Sequence, residues 1–111
     1  QFMEDIAFSK LGKLKDAYQV YRNLFVSFDV FRFTNNFIEE LIENHPSNID
    51  SLHQSLLELN LISPKKDDFI SYVNREHNIP ITKVRNYPRE ANRSHDFRLQ
   101  KIKEELKELT S

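Results

Sequence analysis

The stretch that decides the fold of this chain is residues 11–28, which read LGKLKDAYQVYRNLFVSF. Apolar side chains recur along it in steps of three and four, and we call this set the apolar seam: Leu11, Leu14, Tyr18, Tyr21, Phe25 and Phe28. Such spacing places every member on one side of an α-helix. A second stripe widens this face: Ala17, Val20, Leu24 and Phe31. The seam must therefore be covered, either by the rest of the domain or by a partner.

Length and composition predict one all-α domain. The chain has 111 residues, of which 39% are hydrophobic and 30% charged, and this balance is typical of a globular domain with a single core. Its one glycine, Gly12, excludes glycine-rich phosphate loops and nucleophile elbows. We expect a bundle of five or six helices over residues 1–111. The sequence is read as a fragment of a longer chain, or as one with a short tag remnant before Met3.

Several absences narrow the expected location of the chain. It contains no cysteine, which excludes disulfides and thiolate sites and fits a reducing compartment. No apolar run approaches the ~20 residues of a transmembrane helix, and the N-terminus lacks the pattern of a signal peptide. We therefore expect a cytoplasmic or other intracellular protein that does not enter a membrane.

Capping residues and prolines predict where the helices begin and end. The first helix is expected from Glu4 or Ser9 to Ser27, and Asn36 with Glu39 resembles a capping pair for the second. The later predicted helices span residues 37–44, 47–60, 63–78, 83–87 and 94–109. The last helix repeats the step of three and four, so we expect it to pack against the first helix inside one bundle.

Charge is balanced overall but unevenly distributed. The net charge is −1, yet acidic residues concentrate in residues 29–58 and basic residues in 83–103. One interpretation is a pair of solvated faces that partly neutralise each other. The other is a basic surface for a phosphate backbone or an acidic partner. The candidate nucleic-acid-binding residues are Lys83, Arg85, Arg89, Arg93 and Arg98.

Residues 70–87 can be aligned with a helix-turn-helix motif. With Asn78 in the turn, apolar residues fall at the positions that the motif requires: Ile79, Val84 and Tyr87. Lys83 and Arg85 would then face DNA. The turn lacks glycine, however, and the alternative is an ordinary helical corner closed by Pro80.

Residues 51–73 resemble the helical middle of death-fold domains. The resemblance is carried by Ser51-Leu52, by the leucine-rich run from Leu56 to Pro64 and by Phe69. It implies a helical interaction module. The Arg-x-Asp-Leu signature of death-effector modules is replaced by residues 75–78, which read REHN.

A second resemblance concerns Arg89 and His95. Their spacing is similar to the arginine-to-histidine element of helical HEPN ribonucleases, which implies RNA cleavage. That family often places asparagine directly after the arginine, where this chain has Glu90.

The remaining residues predict binding and not catalysis. The four histidines show no metal-ligand spacing, so we expect surface histidines, no metal and no cofactor. The preferred hypothesis is a non-enzymatic protein-interaction or regulatory module that binds a protein partner or forms a homodimer. Its predicted partner-binding residues lie on the apolar seam: Tyr18, Tyr21, Phe25 and Phe28. The alternative is a nucleic-acid-binding regulator that uses the basic C-terminal third.

Overall fold

A computed structural model shows an all-α protein, which confirms the predicted fold class. It describes residues 2–41, 46–85 and 93–110, with side chains from residue 11 onward except that of Pro46. These ranges hold five helices: α1 (Phe2–Tyr21), α2 (Phe28–Glu39), α3 (Pro46–Glu58), α4 (Lys66–His77) and α5 (Arg93–Thr110). None of the helices in these ranges is long and apolar enough to cross a membrane.

The spacing predicts that the apolar seam lies on one helix, and this prediction is wrong. Helix α1 ends at Tyr21 and not at Ser27. The chain then turns, and Phe25 forms an isolated antiparallel bridge with Ile62. Ser27 has an extended backbone and caps α2, its Oγ accepting a hydrogen bond from the Val30 N–H at 3.3 Å. A serine that accepts such a bond starts a new helix in place of continuing the old one.

The second helix therefore begins nine residues before the predicted start at residue 37, since α2 starts at Phe28. Asn36 lies inside α2 and is not its cap, so that prediction is wrong. Glu40 is the C-cap: its N–H donates to the Asn36 carbonyl at 3.0 Å, and the N–H of the next residue, Leu41, donates to the Ile38 carbonyl at 3.2 Å. Residues 42–44 of the predicted helix lie outside the described residues.

The helix-turn-helix prediction is wrong for the part of the motif that the structure describes. Helix α4 stops where expected, with Asn78 in the left-handed conformation at φ 54°, but residues 79–85 form no helix. Pro80 lacks a backbone donor, and the Asn74 side chain holds the carbonyl of Ile81 at 3.1 Å. The Arg85 N–H donates to Asp50 Oδ1 at 3.0 Å. These bonds hold the segment in a non-helical path; residues 86 and 87 are outside the described ranges.

Residues of α2 and α4 cover the aromatic part of the apolar seam. Phe25, Phe31 and Tyr72 pack edge to face, with ring centroids 5.1 to 5.9 Å apart. Tyr21 adds its ring to Tyr72 at 5.1 Å. Helix α5 instead packs mainly against α3 and also against α2, so the expected pairing of the last helix with the first is wrong. Its buried apolar residues are Leu99, Ile102 and Leu106.

Candidate functional site

The structure divides the four predicted partner-binding residues between core and surface. Phe25 is only 2% exposed and belongs to the core. Tyr18, Tyr21 and Phe28 are half-buried and pack against that core. Tyr18 meets Phe28 edge to face at 5.7 Å. The seam is thus mostly used inside the domain, and only the outer edges of these three rings are available to a partner.

A more exposed apolar surface lies where α1 ends. Val20 is 72% exposed and Val26 is 58% exposed. A cleft of about 370 Å³, which we call the α1-end cleft, opens beside Val20, and its lining residues are Val20, Tyr21, Asn23, Leu24, Asp68, Ser71 and Arg75. Sequence reasoning assigns Val20 to the apolar face of a continuous helix. The turn after Tyr21 removes the helix that this face would need and leaves Val20 outside.

Tyr21 connects the α1-end cleft to α4. Its hydroxyl donates to Glu76 Oε1 at 3.2 Å, and its ring packs against Tyr72. Partial burial, followed by the nearby Glu76 carboxylate, raises the pKa of Tyr21. The contact of the ring with Tyr72 and the hydrogen bond of the hydroxyl to Glu76 therefore fix the orientation of Tyr21 at the edge of the cleft.

A buried polar network centred on Tyr72, the ring that contacts Tyr21, joins α2 to α4. The Tyr72 hydroxyl donates to Asn35 Oδ1 at 2.9 Å and lies 2.8 Å from His77 Nε2. Because the hydroxyl has one proton and gives it to Asn35, His77 Nε2 is the donor in the second bond. Burial raises the pKa of Tyr72 and lowers the pKa of His77. The network contains no free nucleophile and holds two helices in place.

The predicted basic residues lie in different settings. Lys83 and Arg85 are exposed and line a cavity of about 490 Å³ together with Ser47 and Asp50. Arg98 is half-buried, and its Nε donates to Ser51 Oγ at 3.1 Å. Asp50 and Ser51 thus hold the backbone of Arg85 and the side chain of Arg98 at the same end of α3.

The other two predicted cations are at or before the start of α5. Arg93 is the first residue of α5 and is exposed. Arg89 lies outside the described residues. The acidic and basic segments do meet between α3 and α5, where Lys103 Nζ binds Glu58 Oε1 at 2.7 Å.

Two histidines are buried, which corrects the expectation of surface histidines. His95 is 3% exposed, with Nδ1 at 3.0 Å from Ser51 Oγ and Nε2 at 2.8 Å from Gln54 Oε1. Burial, and then the Arg98 charge, lower the pKa of His95. His53 is fully buried, with its ring centroid 4.8 Å from that of Phe69. Helical periodicity could have signalled His95, since it lies four residues before buried Leu99.

His95 is also the histidine of the HEPN-like element. Both of its ring nitrogens are within hydrogen-bond distance of α3 side chains, so its ring stands between two helices and not at a surface. His45 lies outside the described residues. No cluster of His, Asp or Glu with the makings of a metal site occurs in the part of the chain that the structure describes.

The outward face of α5 carries an aromatic residue that sequence reasoning missed. Phe97 is 73% exposed, and it does not share the face of Leu99, Ile102 and Leu106. Arg93 and Lys101, four residues before and after it, are also exposed. The signal was available in the helical spacing, because residues at i−4 and i+4 share one face.

Comparisons with protein-family models, curated proteins and solved structures gave no match to this chain. The fold and the two surfaces define its class at a coarse level. In the described ranges it is an all-α domain with an aromatic cluster in its core, a cleft at the end of α1 that apolar, polar and charged residues line together, and an aromatic residue between cations on α5.

Proposed function

We propose that this chain is a non-enzymatic helical interaction module that binds a protein partner through the α1-end cleft. The observation that carries the proposal is the 72% exposure of Val20 on a cleft that the half-buried ring of Tyr21 also lines. Burying an exposed valine contributes about 2 kcal/mol. Val20 therefore offers a partner an apolar contact at the cleft, and Val26, 58% exposed after the turn that follows α1, offers a second one.

The lining of the cleft matches the chemistry of a protein interface. Val20, Tyr21 and Leu24 provide the apolar part, and Asp68 and Arg75 provide charges of opposite sign. Protein interfaces commonly combine an apolar centre with a polar rim, and tyrosine is enriched among their strongest contacts. We expect the partner to insert an apolar side chain against Val20 and to place polar groups near Asp68 and Arg75.

The predicted seam residues take supporting roles in this proposal. Buried Phe25 packs on Tyr72, the ring that also contacts Tyr21 of the cleft, and we expect the outer edges of Tyr18 and Phe28 to extend the contact along α1 and α2. The positions of His95 and His77 support binding over catalysis, because each ring is tied to a neighbouring side chain within the fold. The partner is either a second copy of this chain or another protein.

Site-specific photo-crosslinking tests the proposal. A photoreactive phenylalanine analogue replaces Val20 in one variant and Leu109, which is 39% exposed on α5, in the matched control. We expect the analogue at position 20 to form one dominant covalent adduct with the partner protein, and we expect the control to form no such adduct. Val26→Asp should abolish that adduct, because a charge in the apolar contact has to be desolvated.

Sedimentation of the unmodified chain identifies the type of partner. A concentration-dependent dimer that Val20→Asp and Val26→Asp both dissociate supports a second copy as the partner. A monomer with a dominant adduct at position 20 supports another protein. Equal adduct patterns at positions 20 and 109, with no dimer, would overturn the proposal.

A further inference from the structure

We infer that the outward face of α5 binds single-stranded nucleic acid by stacking a base on Phe97. This surface is separate from the α1-end cleft and does not depend on its function. Phe97 is 73% exposed, the most exposed of the large apolar side chains in the described part of the chain. A phenyl ring held this far out of the core makes no use of its apolar faces within the domain.

The charges around the ring favour a phosphate-bearing ligand. Arg93 and Lys101 lie one turn to either side of Phe97, about 6 Å away along the helix axis, since an α-helix rises about 1.5 Å per residue. Neither cation forms an ion pair with the described residues. The arrangement places a cation on each side of an aromatic ring. Proteins bind single strands in this way, with cations along the phosphates and rings under the bases.

A single strand fits this face better than a duplex does. The faces of bases in a duplex are covered by neighbouring bases, so Phe97 could not stack on them without opening the duplex. A single strand leaves those faces open. The segment that would have formed a duplex-reading helix, residues 79–85, is not helical.

The acidic residues of α5 limit the basic surface, since half-buried Asp96 lies directly before Phe97 and further acidic residues follow Lys103. Glu104 lies two turns beyond Phe97 on the same face and is exposed. The chain as a whole has a net charge of −1, so binding should be local and not a general coating. We expect contact with only a few nucleotides and an affinity that falls with salt.

Fluorescence anisotropy of a labelled oligothymidine of about 12 nucleotides tests this inference, because such a length spans the sites of small single-strand-binding domains. We expect Phe97→Ala to weaken binding about tenfold or more and Phe97→Tyr to preserve it. Arg93→Ala and Lys101→Ala should each reduce the salt slope, d log K/d log[salt], by about 0.7 in magnitude. Leu109→Ala and Lys13→Ala are the matched apolar and charge controls, both at exposed positions.

A direct stacking signal comes from Phe97→Trp. The chain has no tryptophan, so this variant has one indole and one emission signal. Quenching on addition of the oligothymidine, absent in a Val20→Trp control, supports stacking at position 97.

The inference would be overturned by no binding at low salt, by affinity unchanged in Phe97→Ala, or by equal affinity for a duplex of the same length. Binding of polyglutamate as tight as that of the oligothymidine would point to an acidic protein partner and would also overturn it. None of these results changes the crosslinking expected at Val20, so the two proposals fail separately.

Discussion

At the scale of single residues, Tyr72 combines ring contacts in the core with a buried hydrogen-bonded hydroxyl. It is fully buried, and its ring contacts Phe25, Phe31 and Tyr21. Its hydroxyl lies between Asn35 and His77. An aromatic ring in an α-helical pattern predicts a core position, and Tyr72 has one. The partner Asn35 could not be predicted, because it comes from α2, whose packing against α4 no local pattern specifies.

The first prediction concerns that hydroxyl. Tyr72→Phe keeps the ring contacts but leaves Asn35 Oδ1 and the His77 N–H without the hydroxyl partner in a buried site. The free energy of unfolding should fall by about 1–3 kcal/mol, which is the cost of leaving buried polar groups unsatisfied. Urea denaturation measures the loss. Tyr18→Phe, which alters a half-buried ring, is the control and should stay within about 0.5 kcal/mol; a loss of the same size in both variants would contradict the role given to Asn35 and His77.

At the scale of elements, hydrogen-bonded polar side chains as well as leucines join α3 to α5. Gln54 Nε2 donates to Glu58 at 2.9 Å, so its Oε1 faces His95 and His95 Nε2 carries a proton. Ser51 Oγ lies 3.0 Å from both His95 Nδ1 and the Ser47 carbonyl oxygen, so its one proton can be donated to only one of them. Arg98 Nε donates to the same hydroxyl oxygen. Burial, and then the Arg98 charge, lower the pKa of His95 and thereby favour the neutral ring.

The second prediction is a loss of stability at acid pH. Burial and Arg98 lower the pKa of His95 in the folded chain, and burial lowers that of His77, whereas the unfolded chain has the ordinary histidine pKa of about 6.5. Between those values the unfolded state binds more protons, so the free energy of unfolding falls as pH decreases from about 7 to about 5. Urea denaturation across this range should show a steeper fall for the parent than for His95→Asn.

An independent measurement covers the case in which His95→Asn does not fold. NMR titration of the parent should give a pKa for His95 below the ordinary histidine value, because both burial and a nearby arginine oppose protonation. A pKa at or above that value would contradict a neutral His95 between α3 and α5.

At the scale of the whole molecule, α1 differs from the other four helices, because none of its described side chains, residues 11–21, is fully buried. Its last two turns reach the core through Leu14, Ala17, Tyr18 and Tyr21. The strongest pairing of elements in the described ranges is instead that of α3 with α5. Whether α1 unfolds together with that pair is a question about cooperativity that no single contact answers.

The third prediction uses Gly12 to answer it. A Cβ added at Gly12 would meet nothing within 4 Å, and the residue lies inside α1. Gly12→Ala should therefore raise the free energy of unfolding by about 0.5–1 kcal/mol if α1 unfolds with the core, because alanine loses less backbone entropy in a helix. Lys13→Ala is the control for a neighbouring exposed position. A gain in helicity with no change in the urea midpoint would show that α1 unfolds separately.

The amino-acid sequence by itself determined the all-α class, the end of α4 near Asn78 and an α5 of the observed extent. These features depend on local spacing, caps and prolines, which act within a few residues. Tertiary structure alone decided that the apolar seam folds back on itself between Tyr21 and Ser27, that α5 packs on α3, and which side chains bind His95. The physical reason is that these outcomes depend on hydrogen bonds and ring contacts between residues distant in sequence, such as Phe25 with Tyr72 and Ser51 with His95.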